Sequence, residues 1–232
     1  MKKNIIEKNK EWFNKNEFYS EFVLKNETYK NIKEKLDREV NGIGCLLDIG
    51  NGGLFNYDIS LAGEIHAVDL FFDDTNEEFN GKIIHFKKGT ALSLPYNDNS
   101  FDGIIIVSLL HHLVGDRFID IKKNICQCFN ECFRVMKPGG KLIIHEPCIP
   151  SWFLFLEKAF YKPIKYLIGI FFKHPLAIQL TPETILNILA QKFKINNSLE
   201  IEKKGTLIHF GVKFPAVLSP VKAFLFVAKK DE

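Results

Sequence analysis

Two acids flanking a glycine-rich turn are the residues of this sequence best suited to hold a ligand. Asp48 ends a short apolar run, and the turn Gly50-Asn51-Gly52 follows it directly. Glycine adopts positive φ easily and leaves the backbone open to a bound molecule. Asp69 ends a second apolar run about twenty residues further on, where a carboxylate can accept both hydroxyls of a ribose. The pattern predicts a nucleoside-binding site.

Residues that could move a proton follow two later apolar runs. His111 and His112 come shortly after a predicted strand over residues 101–107, and Glu146 ends another over residues 141–146. An imidazole titrates near neutral pH, so either histidine could act as a general base, or could simply pack and orient its loop. Glu146 is a second candidate base, and it could instead pair with a lysine.

The histidines and cysteines do not indicate a metal site. Metal sites usually show closely spaced ligands, and no such spacing relates His66, His85, His174 and His209. Cys128 and Cys132 would share one helix face, so a weak site there is the alternative to simple packing. We expect no metal and no disulfide, and interpret the cysteines as packing residues in a reducing cytosol: Cys45, Cys126, Cys128, Cys132 and Cys148.

Strands and helices alternate through the region that must position these side chains. Strands are predicted over residues 45–47, 65–69, 82–87, 101–107 and 141–146, and helices over 27–40, 54–61, about 116–136 and 182–193. This alternation predicts a doubly wound α/β fold with a mostly parallel sheet. Residues 71–81 are expected to form an acidic loop or short helix. Residues 198–204 and 221–229 should add two more strands, with a loop or edge segment between them.

Two segments rich in aromatic residues lie outside this alternation. Residues 1–40 are predicted to form amino-terminal helices, which either pack on the sheet or place residues 12–19 as a lid over the ligand. Residues 147–180 are predicted to form a helical cap inserted after the fifth strand. The cap could bind an apolar acceptor, pack as a helical pair or dimer surface, or touch a membrane through residues 151–172.

Length and composition are those of a globular enzyme-sized domain. The chain has 232 residues, 46% of them hydrophobic and 25% charged, which suits a single domain over residues 1–232. The net charge of +3 gives little reason to expect nucleic acid as a partner. Polar sequence follows the first residues, and charged residues interrupt the apolar stretches, so we expect a cytoplasmic protein.

The ordered set of motifs resembles the class I S-adenosylmethionine-dependent methyltransferases, in their small-molecule branch. The matching blocks are Leu47-Asp48-Ile49-Gly50-Asn51-Gly52, Val68-Asp69, Leu94-Pro95 with Ser100-Phe101-Asp102, Leu110-His111-His112-Leu113, and Arg134-Val135-Met136-Lys137-Pro138-Gly139-Gly140. They cover residues 44–146. The resemblance implies a Rossmann-like sheet of seven strands whose last strand is antiparallel.

S-adenosylmethionine is the cofactor that this resemblance implies, with S-adenosylhomocysteine as the product. Its amino acid end would lie against Asp48, Gly50, Asn51 and Gly52, its ribose against Asp69, its adenine against Leu70, Thr90 and Ala91, and its methionine moiety near Ser108. The family usually has glycine where Leu54 stands, and often an acid where Thr90 stands. A threonine binds the adenine amino group less strongly than a carboxylate does.

The expected function is methylation of a small, apolar or lipid-like acceptor, on oxygen rather than nitrogen or carbon. A nicotinamide-dependent oxidoreductase is one alternative, although its fingerprint requires glycine where Phe55 stands. A nucleic-acid methyltransferase is another, although Ser108-Leu109-Leu110-His111 replaces the expected Asn/Asp-Pro-Pro-aromatic motif. The third is a non-catalytic binding protein, which the departures at Leu54 and Thr90 allow. The chain could also form oligomers.

Overall fold

An open β-sheet carries the predicted site residues along one edge. The computed structural model describes residues 27–115, 117–161, 177–204, 206–209 and 212–231. The strands are β1 Cys45–Ile49, β2 Glu64–Asp69, β3 Thr75–Phe79, β4 Lys82–Lys88, β5 Phe101–Val107, β6 Met136–Cys148, β7 Lys194–Ile201, β8 Thr206–His209, β9 Val212–Pro215 and β10 Lys222–Lys229.

Eight of these strands form the main sheet, in the order β3-β4-β2-β1-β5-β6-β10-β7. The five strands from β4 to β6 in this order are parallel to one another, while β10 is antiparallel to both β6 and β7. From β1 the chain first builds one side of the sheet and then crosses to β5 on the other side. Ligands of open α/β sheets bind at such a switch point, beyond the carboxyl ends of the strands.

Helices cover both faces of the sheet, as the doubly wound prediction requires. They are α1 Glu27–Val40, α2 Phe118–Val135, α3 Ser151–Ala159 and α4 Pro182–Leu189. On one face α2 and α4 pack over Leu47 and Ile49 of β1, and on the other α1 packs over Leu46. The helix α4 begins as expected at Thr181, whose hydroxyl accepts the Thr184 N–H at 3.2 Å.

The predicted loop or short helix over residues 71–81 is wrong, because Thr75–Phe79 forms an eighth strand, β3, antiparallel to β4. Asn80 and Gly81 connect the two strands with φ values of 49° and 78°. Positive φ at both turn residues suits the right-handed twist of a hairpin, and an Asn-Gly pair favours it strongly. The acidic composition of residues 73–78 concealed this signal. The seven-stranded expectation is corrected to eight.

The helix predicted over residues 54–61 is also wrong, since only a single 3₁₀ turn forms there, Ile59–Leu61. Phe55 and Tyr57 explain the difference. Both side chains pack toward the sheet, with their ring centroids 5.9 Å apart, and residues two apart cannot share a face of an α-helix. Asp58 then caps the 3₁₀ turn by accepting the Ser60 N–H.

The remaining predictions concern the amino-terminal helices, the cap and the carboxyl-terminal strands. The helix over residues 27–40 is confirmed, whereas the lid over residues 12–19 lies outside the described residues. Of the predicted cap, α3 and the extended segment 177–180 are described, and residues 162–176 fall outside. The segment between the last two main-sheet strands holds a separate hairpin, β8–β9, rather than only a loop. Within the described ranges, no helix has the length and apolarity needed to cross a bilayer.

Candidate active site

The carboxylate of Asp48 is buried at the carboxyl end of β1 and organises the turn that follows. Asn51 donates its side-chain N–H to Oδ2 of Asp48 at 2.7 Å, and the Tyr57 hydroxyl donates to the same oxygen at 3.1 Å. Burial raises the pKa of Asp48 to about 7, because removal from water disfavours the charged form, and the two hydrogen bonds oppose that rise. The acid therefore titrates close to neutral pH.

Gly50 and Gly52 occupy positions in the turn that other residues would not fit. Gly50 has a φ of +73°, and a Cβ atom placed there would lie 2.7 Å from the Leu109 side chain. Gly52 has a φ of +61° and donates its N–H to Oδ2 of Asp69 at 3.1 Å. The turn thus contacts the loop after β5 on one side and the end of β2 on the other.

Asp69 ends β2 with its carboxylate held by backbone donors. Besides the Gly52 N–H on Oδ2, the Phe71 N–H donates to Oδ1 at 3.0 Å. Burial raises the pKa of Asp69, and these N–H groups act against the shift. The Leu70 side chain beside it is 40% exposed. The Gly89 N–H donates to the Asp69 carbonyl oxygen at 3.0 Å, which brings Thr90 and Ala91 next to the same strand end.

Ser108 leaves β5 in a conformation that is rare for a residue with a side chain. Its φ is +54°, and its N–H donates to the His145 carbonyl oxygen at 2.8 Å. The Ser108 hydroxyl lies 3.3 Å from Nδ1 of His145, and burial lowers the pKa of that imidazole to about 4. His145 is therefore neutral near pH 7. Left-handed backbone in non-glycine residues is frequent at functional sites.

His111 and Glu146 form a buried pair at the same sheet edge. Glu146 accepts the N–H groups of Leu110 and His111, each at 3.0 Å, and its Oε1 also contacts Nδ1 of His111. Burial raises the pKa of Glu146, while the two backbone donors lower it. The His112 ring packs beside His111, with centroids 4.1 Å apart. Among the described residues, the partners of Glu146 are thus a histidine and two backbone amides, and no lysine.

Comparison with known proteins shows which domain and which fold the chain resembles. A model of a family described as "Methyltransferase domain" matches residues 47–144. An S-adenosylmethionine-dependent methyltransferase structure from Methanosarcina mazei is 21% identical and aligns with a TM-score of 0.57 over 84% of this chain and 97% of that one. The N-methyltransferase NodS from Bradyrhizobium japonicum, in complex with S-adenosylhomocysteine, is 11% identical and aligns with a TM-score of 0.53 over 90% of each chain.

Residues 47–144 match the methyltransferase domain, and the fold of the chain is that of S-adenosylmethionine-dependent methyltransferase structures. Among curated proteins, the demethylmenaquinone methyltransferase of Paenarthrobacter aurescens is 39% identical over 72 residues, which is 30% of this chain. That of Listeria monocytogenes is 32% identical over 97 residues, or 40% of this chain. The chain spans only 25% and 34%, respectively, of the length of these two methyltransferases.

Sequence reasoning missed two residues that contact the glycine-rich turn and Asp48. Tyr57 contributes its hydroxyl to Asp48, and Leu109 packs over Gly50. The sequence did hold a signal for Tyr57. Phe55 and Tyr57 are two residues apart just after the glycine turn, and this spacing indicates an extended segment that can return to Asp48. Nothing in the sequence indicates the Leu109 contact, because it depends on how β5 and β1 pair.

The raised pKa of Asp48 predicts a pH dependence of stability. The folded acid has a pKa of about 7 against an ordinary value of 3.8. Its stabilising contribution is therefore fully present below pH 3.8 and is lost as the pH rises toward 7. The free energy of unfolding of the wild type, relative to Asp48→Asn, should fall over that range by up to about 4 kcal/mol. Urea denaturation across this range measures it, and a pH-independent difference would contradict the burial argument.

Proposed function

We propose that this protein transfers a methyl group from S-adenosylmethionine to a small apolar or amphipathic acceptor, with an oxygen atom as the favoured target. The observation that carries the proposal is the linkage of Asp48 and Asp69 through the turn between them. A buried carboxylate, a half-buried carboxylate and the glycine backbone of the turn meet at one point on the sheet edge. That combination suits a ligand with an ammonium group at one end and a ribose further along.

The proposed contacts follow from which atoms are donors and which are acceptors. Asp69 would accept the ribose hydroxyls, with Leu70 against one face of the adenine. The Thr90 hydroxyl accepts the Leu92 N–H at 3.2 Å and keeps a second lone pair for the adenine amino group. Asp48 would orient the amino acid end through Asn51. S-adenosylmethionine would supply the activated methyl group on its positively charged sulfonium, which the negative charge of the two acids favours.

Removing the Asp69 charge should weaken cofactor binding without unfolding the protein. Asp69→Asn keeps the shape of the side chain but loses the charged acceptor of the ribose hydroxyls. A hydrogen bond to a charged group contributes about 1.5–3 kcal/mol, so the dissociation constant for S-adenosylhomocysteine should rise about 10- to 100-fold. Isothermal titration calorimetry measures it. The matched control is Asp73→Asn, because Asp73 is exposed in the loop after β2. Equal affinities of the wild type, Asp69→Asn and Asp73→Asn for S-adenosylhomocysteine would refute the cofactor site.

The pair of His111 and Glu146 supports oxygen as the target. If Nδ1 of His111 carries the proton that Glu146 accepts, the lone pair of the ring is on Nε2. That tautomer can take a proton from a hydroxyl as the methyl group transfers. Glu146 is then a positioning residue, since its oxygens are engaged with His111 and the Leu110 N–H. His112 is the alternative base.

Replacing His111 should slow methyl transfer far more than it affects cofactor affinity. In His111→Gln the amide can still contact Glu146 but cannot accept a proton near neutral pH. General-base catalysis contributes about 10²–10⁴-fold, and kcat should fall within that range for a hydroxylated acceptor. Release of S-adenosylhomocysteine, assayed over a panel of phenols and quinols, measures kcat. An unchanged kcat would assign the base elsewhere, and His112→Gln tests the alternative directly.

Exposed aromatic residues on α3 support an apolar or amphipathic acceptor. Trp152 and Phe155 are 62% and 69% exposed, and Phe160 lies just beyond the helix. The Ile178 N–H donates to the His111 carbonyl oxygen at 2.9 Å. The Ile149 N–H, just before α3, donates to the Leu180 carbonyl oxygen at 3.1 Å. The start of α3 is thus joined through residues 178–180 to the loop that carries His111. The curated relatives, named for a demethylated menaquinone, are consistent with a lipid-like acceptor reached at a membrane surface.

Trp152→Ala should raise KM for the acceptor and leave cofactor affinity unchanged. A lost aromatic contact reduces apolar burial, and partial loss of about 1–2 kcal/mol corresponds to an increase of about tenfold. Ile83→Ala is the control, because Ile83 is 59% exposed but lies on β4, away from α3. Steady-state kinetics with an apolar acceptor decide the matter. Equal KM values for the two variants would mean that α3 does not contact the acceptor.

A further inference from the structure

A cluster of possible metal ligands lies on the sheet away from the cofactor edge. Atoms of Cys45, Glu64 and His66 that could ligate a metal are all within 4.8 Å of one another. Nε2 of His66 is 2.8 Å from Oε1 of Glu64, and Nε2 of His85 is 3.6 Å from the same oxygen. A thiol, a carboxylate and one imidazole nitrogen therefore converge on one small volume, and a second imidazole lies beside the carboxylate.

Strand pairing, not sequence spacing, assembles this cluster. In the parallel ladder Cys45 of β1 pairs with Glu64 of β2, and His66 of β2 pairs with His85 of β4. Residues two apart on a strand share a face, so Glu64 and His66 point to the same side. This is why the expectation of no metal, which rested on spacing along the chain, did not anticipate the cluster.

The orientation of both imidazoles is fixed by neighbours outside the cluster. Nδ1 of His85 is 2.8 Å from Oδ1 of Asn76, and donation along this contact leaves the lone pair on Nε2, toward Glu64. The His66 ring stacks on His85 with centroids 4.7 Å apart and contacts the edge of Phe101 at 5.4 Å. Such outer contacts hold metal-binding histidines in the correct tautomer and direction.

We propose that Cys45, Glu64 and His66, with His85 as the fourth ligand, bind a divalent transition-metal ion of the Zn²⁺ type. Zn²⁺ takes thiolate, imidazole and carboxylate ligands in tetrahedral sites, with bonds of about 2.0–2.3 Å that place ligand atoms about 3.3–3.6 Å apart. The two nitrogen–oxygen separations, 2.8 Å for His66 and 3.6 Å for His85, lie close to that range. The ligand atoms of Cys45, Glu64 and His66, all within 4.8 Å of one another, would move closer together on binding the ion.

The chemistry and access of the cluster fit such an ion. Binding of a metal through Cys45 requires the thiolate, so ligation releases the thiol proton to solvent. His66 and His85 line an open groove of about 330 Å³ that provides an entry path from solvent. Lys87 and Asp74 also line this groove, and their opposite charges offset each other. The carboxylate of Glu64 would therefore supply the negative charge that attracts the ion.

The site is independent of the proposed methyl transfer. Cys45 and Glu64 begin the strands whose opposite ends carry Asp48 and Asp69. An ion bound here would join the amino ends of β1 and β2 to the middle of β4 and stabilise the folded state, since the unfolded chain does not assemble the ligands. Metal binding can therefore be measured without any acceptor or cofactor.

The test is a titration of the metal-stripped full chain with Zn²⁺ by calorimetry, and with Co²⁺ by absorption. We expect one equivalent to bind, with a thiolate-to-cobalt charge-transfer band in the near ultraviolet. Cys45→Ser should abolish the band and, like His66→Gln, weaken Zn²⁺ binding at least about tenfold. Asn76→Ala should weaken binding about tenfold through the orientation of His85. The control is Cys126→Ser, a partly exposed cysteine on α2.

Three results would overturn the proposal: no stoichiometric binding to the wild type, a cobalt spectrum without the thiolate band, or equal affinities for Cys45→Ser and Cys126→Ser. If circular dichroism shows that Cys45→Ser does not fold, Glu64→Gln decides in its place. Glu64 is exposed, so its replacement should not disturb folding, and unchanged Zn²⁺ affinity in that variant would equally rule the site out.

Discussion

Burial of one carboxylate, that of Asp48, governs the geometry of the sheet edge where β1 and β2 end. A buried acid is tolerated only where hydrogen bonds compensate for the lost water, and here Asn51 and Tyr57 supply them from either end of one short segment. The segment must therefore bend around the acid rather than wind into a helix. That bend exposes the Gly52 N–H to Asp69 and leaves room above Gly50 for Leu109.

The sequence predicts the fold well where apolar runs and breakers coincide. The central strands and α1 lie where expected, because continuous apolar residues in a covered strand and a regular stripe on a helix are strong local signals. It fails where composition and local geometry disagree. Residues 75–79 are acidic and exposed, yet pair with β4 because Asn80 and Gly81 form a hairpin turn.

Some parts of the candidate site could likewise be predicted from the sequence, and others could not. Asp48, Asp69 and the glycines between them lie within one motif, and the structure brings them into direct contact. The contact of His111 with Glu146 joins residues 35 positions apart, so only the pairing of β5 with β6 could reveal it. The convergence of Cys45, Glu64 and His66 depends equally on neighbouring strands. Side chains that act across a ladder have no spacing signature along the chain.

The hairpin strand β3 also affects how the molecule meets other copies of itself. As the outermost strand, it presents one row of backbone N–H and C=O groups that another sheet could extend. Glu77 and Glu78 stand on this strand, exposed to solvent. Two molecules approaching edge to edge would bring these like charges together, so electrostatic repulsion protects the open side of the sheet from aggregation.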